Sequence, residues 1–422
     1  MSNKNALKNK IFKAEILELS YLGSGVSKIN TNIDGSEFKD FAVFTPDTLP
    51  GEIVTLKIVK AKKNYAYGKV LNFIKKSGAR VDTPICPAFF KCGGCTLLHM
   101  TYEEQLKFKN IDYSGSDTHY RNKVSFPVTK EGIGYYKTGT HENLNYYDCK
   151  IAHKSFYPII KEIEKLNITP YDEKTHTGLL RHIFLRRVGT ETMLALVLNC
   201  KKNLELKESI LSLNLDISSI ILNYNDKKTN VILGETYDVI YGKLYITSEI
   251  LGYKFEISLH SFYQVNDYMS SLLYSHVLEH IEKDKEVLDV YSGVGVMAIL
   301  SASASKKVRG VEIVPQAVKD AIKNAALNNI DNIVFELDDA KNIDITEQII
   351  ILDPPRKGVD LELLTKINES SCEKIIYVSC NPKTLERDIE ILTNFEVTYK
   401  KRYDFFPGTL HIETLSVLKR RI

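Results

Sequence analysis

Short apolar strands alternate with amphipathic helices from residue 251 to the end of the chain, and this alternation constrains the fold more than any other feature. The strand-like runs are KEVLDV, KVRGVE, NIVFEL, QIIIL and KIIYVS, and the helical pattern PQAVKDAIKNAALNN has Pro315 in its first turn. Apolar runs without polar alternation are typical of strands buried on both faces of a parallel sheet. The sequence therefore predicts a doubly wound, Rossmann-like α/β domain over residues 251–422.

Polar residues stand where these strands end, which is where an open α/β sheet binds its ligands. Gly293 and Gly295 follow the first strand, Glu312 ends the second and Asp338 the third, and Asp353 opens an Asp-Pro-Pro turn after the fourth. The glycine spacing alone does not exclude a dinucleotide. A dinucleotide dehydrogenase has no need of Asp-Pro-Pro, whereas a rigid turn facing a methyl donor and a base suits a nucleic-acid methyltransferase. The order of these residues favours S-adenosylmethionine as cofactor.

One cysteine, Cys380, follows the buried run KIIYVS at the same end of the sheet. Most intracellular cysteines only pack, but carbon 5 of a pyrimidine is a poor nucleophile and needs a thiolate added at carbon 6 before it can take a methyl group. A base must then remove the proton from carbon 5. Glu413 stands in the apolar run LHIETLSVL, where burying a charge is costly without a reason. We therefore predict Cys380 as nucleophile and Glu413 as base.

The first part of the chain, residues 1–75, has short strand-like runs separated by turn signals and predicts an OB-like β-barrel. Residues 1–76 hold 13 lysines and seven acids, a net charge of +6, so the rest of the chain nets −3 against the total of +3. From Lys57 to Lys76 there are seven lysines, no acids, and the interleaved rings of Tyr65, Tyr67 and Phe73. This pattern suits RNA binding, and equally a solvated strand face over core aromatics.

The middle part, residues 76–250, mixes strand and helix patterns and predicts an α+β central domain. CPAFFKCGGC places Cys86, Cys92 and Cys95 close together, and Cys149 follows. Four thiolates can hold zinc or an iron–sulfur cluster, and the spacing does not choose between them. The same part carries side chains that could contact RNA: Tyr120, Arg121, Lys123, Arg181, Arg186 and Arg187.

Taken together, SFYQVN, LDVYSGVG, GVE, LDPPRKG, YVSCNP and HIET resemble the motifs of the uracil-5 RNA methyltransferase family, in its RumA/RlmD-type branch that makes 5-methyluridine in 23S rRNA. The similarity extends over essentially the whole chain, and the barrel resembles a TRAM domain. The resemblance implies a cofactor and uracil pocket, a nucleophile and base, and a [4Fe-4S] cluster. The implied pocket residues are Gln264, Tyr291, Glu312, Asp338 and Asp353; the nucleophile and base are Cys380 and Glu413; the cluster ligands are Cys86, Cys92, Cys95 and Cys149.

Three positions depart from, or qualify, this resemblance. Val296 stands where the family often has a polar residue, which removes one side-chain contact to the cofactor, and Ser292 stands where a cysteine is common. Arg356 occupies the place that is a cysteine in cytosine-5 enzymes, which favours uracil. There are two alternatives to an rRNA methyltransferase. One is a tRNA enzyme of the same family, and the other is an RNA-binding protein whose catalytic domain is silent.

Composition places the chain among ordinary soluble proteins, with 44% hydrophobic and 26% charged residues. No apolar run approaches the length of a membrane span, and the amino terminus MSNKNALKNK lacks the apolar core of a secretory signal. Seven cysteines, an odd number, argue against a disulfide framework. We therefore expect a cytoplasmic, monomeric enzyme that binds RNA, with rRNA the favoured substrate.

Overall fold

The computed structural model describes residues 6–33 and 35–422, which divide into two compact units. The first unit runs to Lys109 and includes Pro407–Leu410. The second holds Asn110–Phe406 and His411–Ile422. In these described ranges, no helix has both the length and the hydropathy to cross a membrane.

The first unit is built on a six-stranded sheet in the order β1-β5-β6-β4-β3-β2. Its elements are β1 (Ile11–Glu15), β2 (Glu18–Leu19), β3 (Gly25–Ile33), β4 (Ser36–Thr45), β5 (Ile53–Ala61), β6 (Tyr65–Lys75) and α1 (Tyr102–Lys109). β1 pairs with β5 while β2, directly after it, pairs with β3, so one stretch of chain joins both sides of the sheet and closes it. Apolar side chains alternate inwards, with Val43, Val54 and Leu56 fully buried. The predicted barrel is confirmed.

The second unit begins with a mixed sheet in the order β12-β11-β10-β9-β7-β8. Its elements are β7 (Lys123–Thr129), β8 (Gly132–Ile133), α2 (Phe156–Glu164), β9 (Leu180–Val188), β10 (Glu191–Leu198), α3 (Lys207–Leu211), β11 (Ser219–Tyr224) and β12 (Thr236–Gly242), followed by the hairpin of β13 (Tyr245–Ile250) and β14 (Tyr253–Ser258). Helix α2 packs the apolar side chains of Phe156, Ile160 and Ile163 into the core of this part. The predicted mixture of helix and strand is therefore present.

A seven-stranded sheet in the order β17-β16-β15-β18-β19-β21-β20 completes the second unit. Its elements are α4 (Asp267–Leu278), β15 (Glu286–Val290), α5 (Val296–Ala302), β16 (Lys307–Glu312), α6 (Pro315–Leu327), β17 (Ile333–Leu337), β18 (Ile349–Leu352), α7 (Leu361–Glu369), β19 (Lys374–Ser379), α8 (Pro382–Ile391), β20 (Phe395–Tyr403) and β21 (Glu413–Arg420). The first five strands in this spatial order are parallel, and β21 lies antiparallel between β19 and β20. The order reverses between β15 and β18, which makes that point the expected ligand crevice. This confirms the predicted α/β domain.

A buried ion pair ties the segment after β6 to the barrel, within the first compact unit. Arg80 Nη2 lies 2.7 Å from Oε2 of Glu52, whose side chain is fully buried. The backbone N–H groups of Leu49 and Ser77 donate to the same carboxylate at 2.8 and 3.2 Å. Burial by itself raises the pKa of Glu52, but Arg80 and the backbone donors outweigh it, so that the pKa is lowered.

We predict that Glu52→Gln lowers the free energy of unfolding of the first unit by about 3 kcal/mol at pH 7, because Arg80 is left buried without its counter-charge. The folded pKa lies below the unfolded value of 4.5, so the contribution of Glu52 is complete above that pH and is lost as the pH falls further. Urea unfolding of both proteins from pH 7 downwards measures this difference. Lys76→Gln, which breaks the exposed pair with Asp82, should cost no more than about 1 kcal/mol. An equal loss of unfolding free energy in Glu52→Gln and Lys76→Gln would contradict the conclusion that the buried pair of Glu52 and Arg80 stabilises the first unit.

Candidate active site

A tight turn after β15 forms the floor of the site. Tyr291, Gly293 and Gly295 all have positive φ angles, of 68°, 56° and 82°. A Cβ atom on Gly295 would lie 2.7 Å from the ring of Phe335 and 3.0 Å from Cβ of Ala321, so no larger residue fits there. Gly293 has open space where a Cβ atom would stand. The turn therefore leaves its backbone accessible to a ligand.

Two predicted acids lie along the strand ends beside this turn. Glu312 accepts hydrogen bonds from the N–H of Gly293 at 3.1 Å and from the N–H of Val314 at 2.8 Å. The N–H of Asp338 donates to the carbonyl of Glu312 at 3.2 Å. The structure thus brings Gly293, Glu312 and Asp338 into one continuous line across the ends of β15, β16 and β17.

A cavity opens next to the turn, and four of the predicted residues line it. These are Gln264, Tyr291, Gly293 and Asp353; Phe262, Tyr263, Tyr274, Asp289, Ser292, Val294, Val296 and Met297 complete its wall. Gly295, Glu312 and Asp338 are not part of this wall. In the part of the chain that the structure describes, Oδ2 of Asp289 and Oγ of Ser292 are buried without a hydrogen-bond partner. Orphaned polar atoms in a cavity wall suit a polar ligand.

Two buried carboxyl groups in the cavity wall indicate that its ligand is positively charged. Burial raises the pKa of Asp353 to about 7. Burial and the nearby Asp353 raise the pKa of Asp289 well above its usual range. A positively charged ligand would favour the ionised form of both carboxyl groups. The sulfonium and ammonium groups of S-adenosylmethionine meet this condition, so the residues present fit that cofactor. Asp289 was not predicted, although an acid inside the apolar run VLDV gives the same signal as Glu413.

Cys380 and Glu413 are brought together by strand register. β19 and β21 pair antiparallel as far as Ser379 opposite Thr414. Cys380 directly follows β19 and Glu413 is the first residue of β21, so both stand at this end of the ladder, where the Glu413 carboxyl group acts on the thiol. Glu413 is 3% exposed and Cys380 is half-buried. The thiol and the carboxyl group therefore share one end of the sheet.

The electrostatic surroundings of both groups favour their protonated forms. Burial raises the pKa of the Cys380 thiol, and the carboxyl groups of Glu413 and Asp353 raise it further. Burial and Asp353 raise the pKa of Glu413 well above its usual range. Arg356 is the cation that opposes the shift at both residues. The charge of Arg356 therefore favours a thiolate at Cys380.

Hydrogen bonds fix Arg356 between the nucleophile and the base. The amide of Asn381, directly after Cys380, donates to the carbonyl of Arg356 at 3.2 Å. The guanidinium of Arg356 lies 3.3 Å from Nε2 of His411, two residues before Glu413. In the sequence, Arg356 was noted only because it replaces a cysteine. Its contact with His411 joins residues 55 positions apart, which a motif search does not detect.

The turn Ser258–Ser261 precedes the cavity residues Phe262 to Gln264 and is clamped from two sides. Arg186 on β9 donates to the carbonyls of Ser258 and Ser261 at 2.6 and 2.8 Å. Asp320 on α6 accepts from the hydroxyls of the same two serines at 3.2 and 3.0 Å. The turn, and with it the position of Gln264, is therefore set by residues far away in the sequence.

The clamp overturns part of the RNA-contact hypothesis. Arg186 is 2% exposed, and Arg181 is 6% exposed and donates to the carbonyls of Asn225 and Lys227. The hypothesis that these two arginines contact RNA is wrong, because their guanidinium groups hold the protein backbone. For Tyr120, Arg121, Lys123 and Arg187 it stays a prediction.

The four predicted cluster cysteines are all partly exposed. Cys86, Cys92 and Cys95 belong to the first compact unit and Cys149 to the second. Over residues 6–33 and 35–422, no group of three or more His, Cys, Asp or Glu side chains is arranged to hold a metal ion. The metal site therefore stays a prediction. Cys372 is fully buried, as expected of a packing residue.

The doubly wound sheet, with a glycine turn and a cavity suited to a positively charged ligand at its switch point, defines an S-adenosylmethionine-dependent methyltransferase. Residues 98–421 match the family described as tRNA (uracil-5-)-methyltransferase, and residues 6–71 match the TRAM domain. The chain belongs to this uracil-5 methyltransferase family and carries an amino-terminal TRAM domain. The uracil-5 methyltransferase family and the TRAM domain recognised from the sequence motifs are confirmed.

Relatives and a solved structure agree with this assignment along the whole chain. An uncharacterized RNA methyltransferase of Halalkalibacterium halodurans is 36% identical over 98% of this chain and 97% of its own length. One of Listeria monocytogenes is 38% identical over 97% of this chain and 98% of its own. The Pyrococcus abyssi tRNA (uracil-54, C5)-methyltransferase, solved in complex with S-adenosyl-L-homocysteine, superimposes with a TM-score of 0.80 at 27% identity, covering 96% of this chain and 99% of that one.

We predict that Arg186→Met raises the dissociation constant for S-adenosylmethionine about ten-fold, because a displaced Ser258–Ser261 turn misplaces Gln264. Titration calorimetry on the purified full-length protein measures the constant, and Arg186→Lys should restore part of the affinity. The neighbouring Arg187 bonds instead to Thr192, so Arg187→Met is the matched control and should bind the cofactor normally. Normal cofactor affinity in Arg186→Met would show that the clamp does not position the pocket.

Proposed function

We propose that this protein transfers the methyl group of S-adenosylmethionine to carbon 5 of a uridine in RNA through a covalent adduct with Cys380. The observation that carries the proposal is the end of the β19–β21 ladder, where the Cys380 thiol and the buried carboxyl group of Glu413 lie near each other and near Asp353 of the cavity wall. Methylation of an amine or a hydroxyl needs neither group in this arrangement. A thiol and a base on neighbouring strands match the two chemical needs of carbon-5 methylation.

The thiol acts first. Cys380 loses its proton, favoured by the positive charge of Arg356, and its Sγ atom bonds to carbon 6 of the ring. The electron pair of the 5,6 double bond moves towards the carbonyl at carbon 4, which gives an enolate and makes carbon 5 nucleophilic. The ring must be flipped out of its stack for Sγ to reach carbon 6. Bound S-adenosylmethionine supplies the electrophilic methyl group.

Glu413 acts last. Its carboxylate takes the proton from carbon 5 of the methylated ring, the double bond re-forms, and the bond between Sγ and carbon 6 breaks. Burial and Asp353 raise the pKa of Glu413, which makes its carboxylate a stronger base than an exposed one. The positive charge of Arg356 opposes this shift and favours the carboxylate form that the step needs.

We assign the cofactor to the cavity and the adjoining strand ends. Gln264, Tyr291, Gly293 and Asp353 would contact it in the cavity, and Asp353 would meet its positive charge. Glu312 would accept the ribose hydroxyls, next to the turn that ends at Gly295. Asp338 would lie near the adenine.

For the RNA class, 23S rRNA is the first candidate and tRNA the second. The resemblance of the barrel and the cysteines to the RumA/RlmD-type branch favours rRNA. The described activity of the Pyrococcus abyssi enzyme favours tRNA. Incubation of the purified protein with labelled S-adenosylmethionine and either total tRNA or unmodified 23S rRNA, followed by mapping of 5-methyluridine, separates the two. Label in neither RNA would favour the silent RNA-binding alternative.

We also propose that Cys86, Cys92, Cys95 and Cys149 bind a [4Fe-4S] cluster. Four partly exposed thiols supply a donor set that suits iron–sulfur ligation. The methyl transfer moves no electrons, so the cluster would have a structural role. No step of the mechanism depends on it.

The two catalytic roles are separated by the fate of the adduct. RNA with 5-fluorouridine at the target should become covalently attached to the protein, because fluorine cannot leave carbon 5 as a proton does. Cys380→Ala should abolish both the adduct and turnover. Glu413→Gln should slow turnover about 100- to 10,000-fold and accumulate a methylated adduct on normal RNA, because only the last step needs the base. Denaturing gel electrophoresis with labelled methyl groups detects both adducts.

Two outcomes would contradict these roles. Release of methylated RNA at the normal rate by Glu413→Gln would assign the base to another group. An adduct of Cys380→Ala with the fluorinated RNA would assign the nucleophile elsewhere. Cys372→Ala is the control, because that thiol is fully buried away from solvent, and it should form the adduct normally.

The cluster is tested by metal content. Protein purified without air should be brown and contain about four iron atoms per chain. Cys92→Ser should lose most of the iron and the colour, whereas Cys200→Ser, outside the predicted set, should keep both. Colourless protein with stoichiometric zinc would contradict the iron–sulfur assignment.

A further inference from the structure

Three aromatic rings cluster on the outer face of the barrel. Phe44 on β4 lies 5.5 Å from Tyr65 and 6.2 Å from Tyr67, both on β6, and the two tyrosine rings are 5.6 Å apart between centroids. The alternate residue Ala66 points into the core and is fully buried, while Tyr67 is 39% exposed. Phe44, Tyr65 and Tyr67, the aromatic triad, therefore form a surface feature and not part of the barrel core.

Lysines surround the triad on the same face. On β5, Lys60 is opposite Tyr67 and Lys57 is opposite Lys69, the next outward residue of β6. In the chain as the structure describes it, none of these three lysines forms an ion pair with a carboxylate. No acid occurs between residues 57 and 76, so β6 and the second half of β5 carry no carboxylate. Exposed rings beside unpaired lysines favour a ligand that is both flat and anionic.

Phe73, which the sequence grouped with Tyr65 and Tyr67, is not part of this surface. The guanidinium of Arg80 lies 4.4 Å from the centre of its ring and occupies that face. The two interpretations of this stretch therefore hold for different rings. Phe73 packs against a protein group, whereas the side chain of Tyr67 is exposed to solvent. Of these four described rings, the three of the triad are left to receive a ligand.

We propose that the aromatic triad is a stacking platform for unpaired bases of the RNA substrate, with Lys57, Lys60 and Lys69 binding the adjoining phosphates. This rests on the proposed function, because it assigns a second contact to the same RNA. Base stacking on aromatic rings is tolerant of sequence, and lysine contacts to phosphate depend on salt. The platform therefore supplies affinity for a single-stranded segment, and the choice of uridine is made at Cys380.

A salt titration of the full-length protein with a fluorescent oligouridylate separates the contribution of base stacking from that of phosphate binding. Tyr67→Leu keeps an apolar side chain but loses the ring, and should weaken binding about ten-fold without changing the slope of log affinity against log salt. Lys57→Gln with Lys69→Gln should reduce the magnitude of that slope by about 1.4, since each phosphate contact on a single strand contributes about 0.7. Tyr241→Leu, which alters another exposed tyrosine in the second unit, is the matched control and should bind normally.

Wild-type affinity in Tyr67→Leu would overturn the platform, and the rings would then belong to a protein contact. A change of slope in that variant would also overturn it, because the loss would then come from displaced lysines. Thermal melting shows whether each variant is folded, and a Tyr65→Leu variant repeats the test at a second ring. The oligouridylate assay needs no methyl transfer, so an inactive wild-type protein would contradict the proposed function and leave this measurement intact.

Discussion

The antiparallel insertion of β21 between β19 and β20 is the constraint on which the candidate chemistry depends. A purely parallel sheet would present Cys380 at a strand end with no return strand beside it. The reversed strand starts at that same end, so that its first residue, Glu413, stands next to the nucleophile. Distant parts of the chain therefore meet without any loop having to reach across the site. Glu413 is held in the backbone ladder of β21, and Cys380 directly follows the ladder of β19.

Concentrating acids in this site is costly, and the protein offsets only part of the cost. Asp289, Asp353 and Glu413 all have raised pKa values, with burial as the first cause. Arg356 is the cation that acts on Glu413. A positively charged ligand in the cavity would favour the ionised form of these carboxyl groups and so lower their pKa values.

The sheet and its functional strand ends could be predicted because they are local in sequence. Apolar runs define the strands, and Glu312, Asp353 and Cys380 each stand directly after or at the end of one. The supporting contacts could not be predicted, because they join segments without any local pattern. Arg186 reads as one more basic residue in HIFLRRVG, and only the fold shows that it holds a turn more than 70 positions away. The tie between the barrel and the segment after it could not be predicted for the same reason, since Glu52 and Arg80 pair across 28 positions.

The large sheet ends on β20, and the make-up of that strand has a consequence for association between copies. An edge strand offers unpaired backbone groups to any other extended chain. β20 carries Lys400, Lys401 and Arg402 in succession, and a bulge between Val397 and Tyr399 interrupts its regular pairing. Consecutive charges and a local twist both oppose the addition of another strand. The sheet that holds the nucleophile is thereby protected at this edge from aggregation during synthesis and folding, when the strand is most accessible.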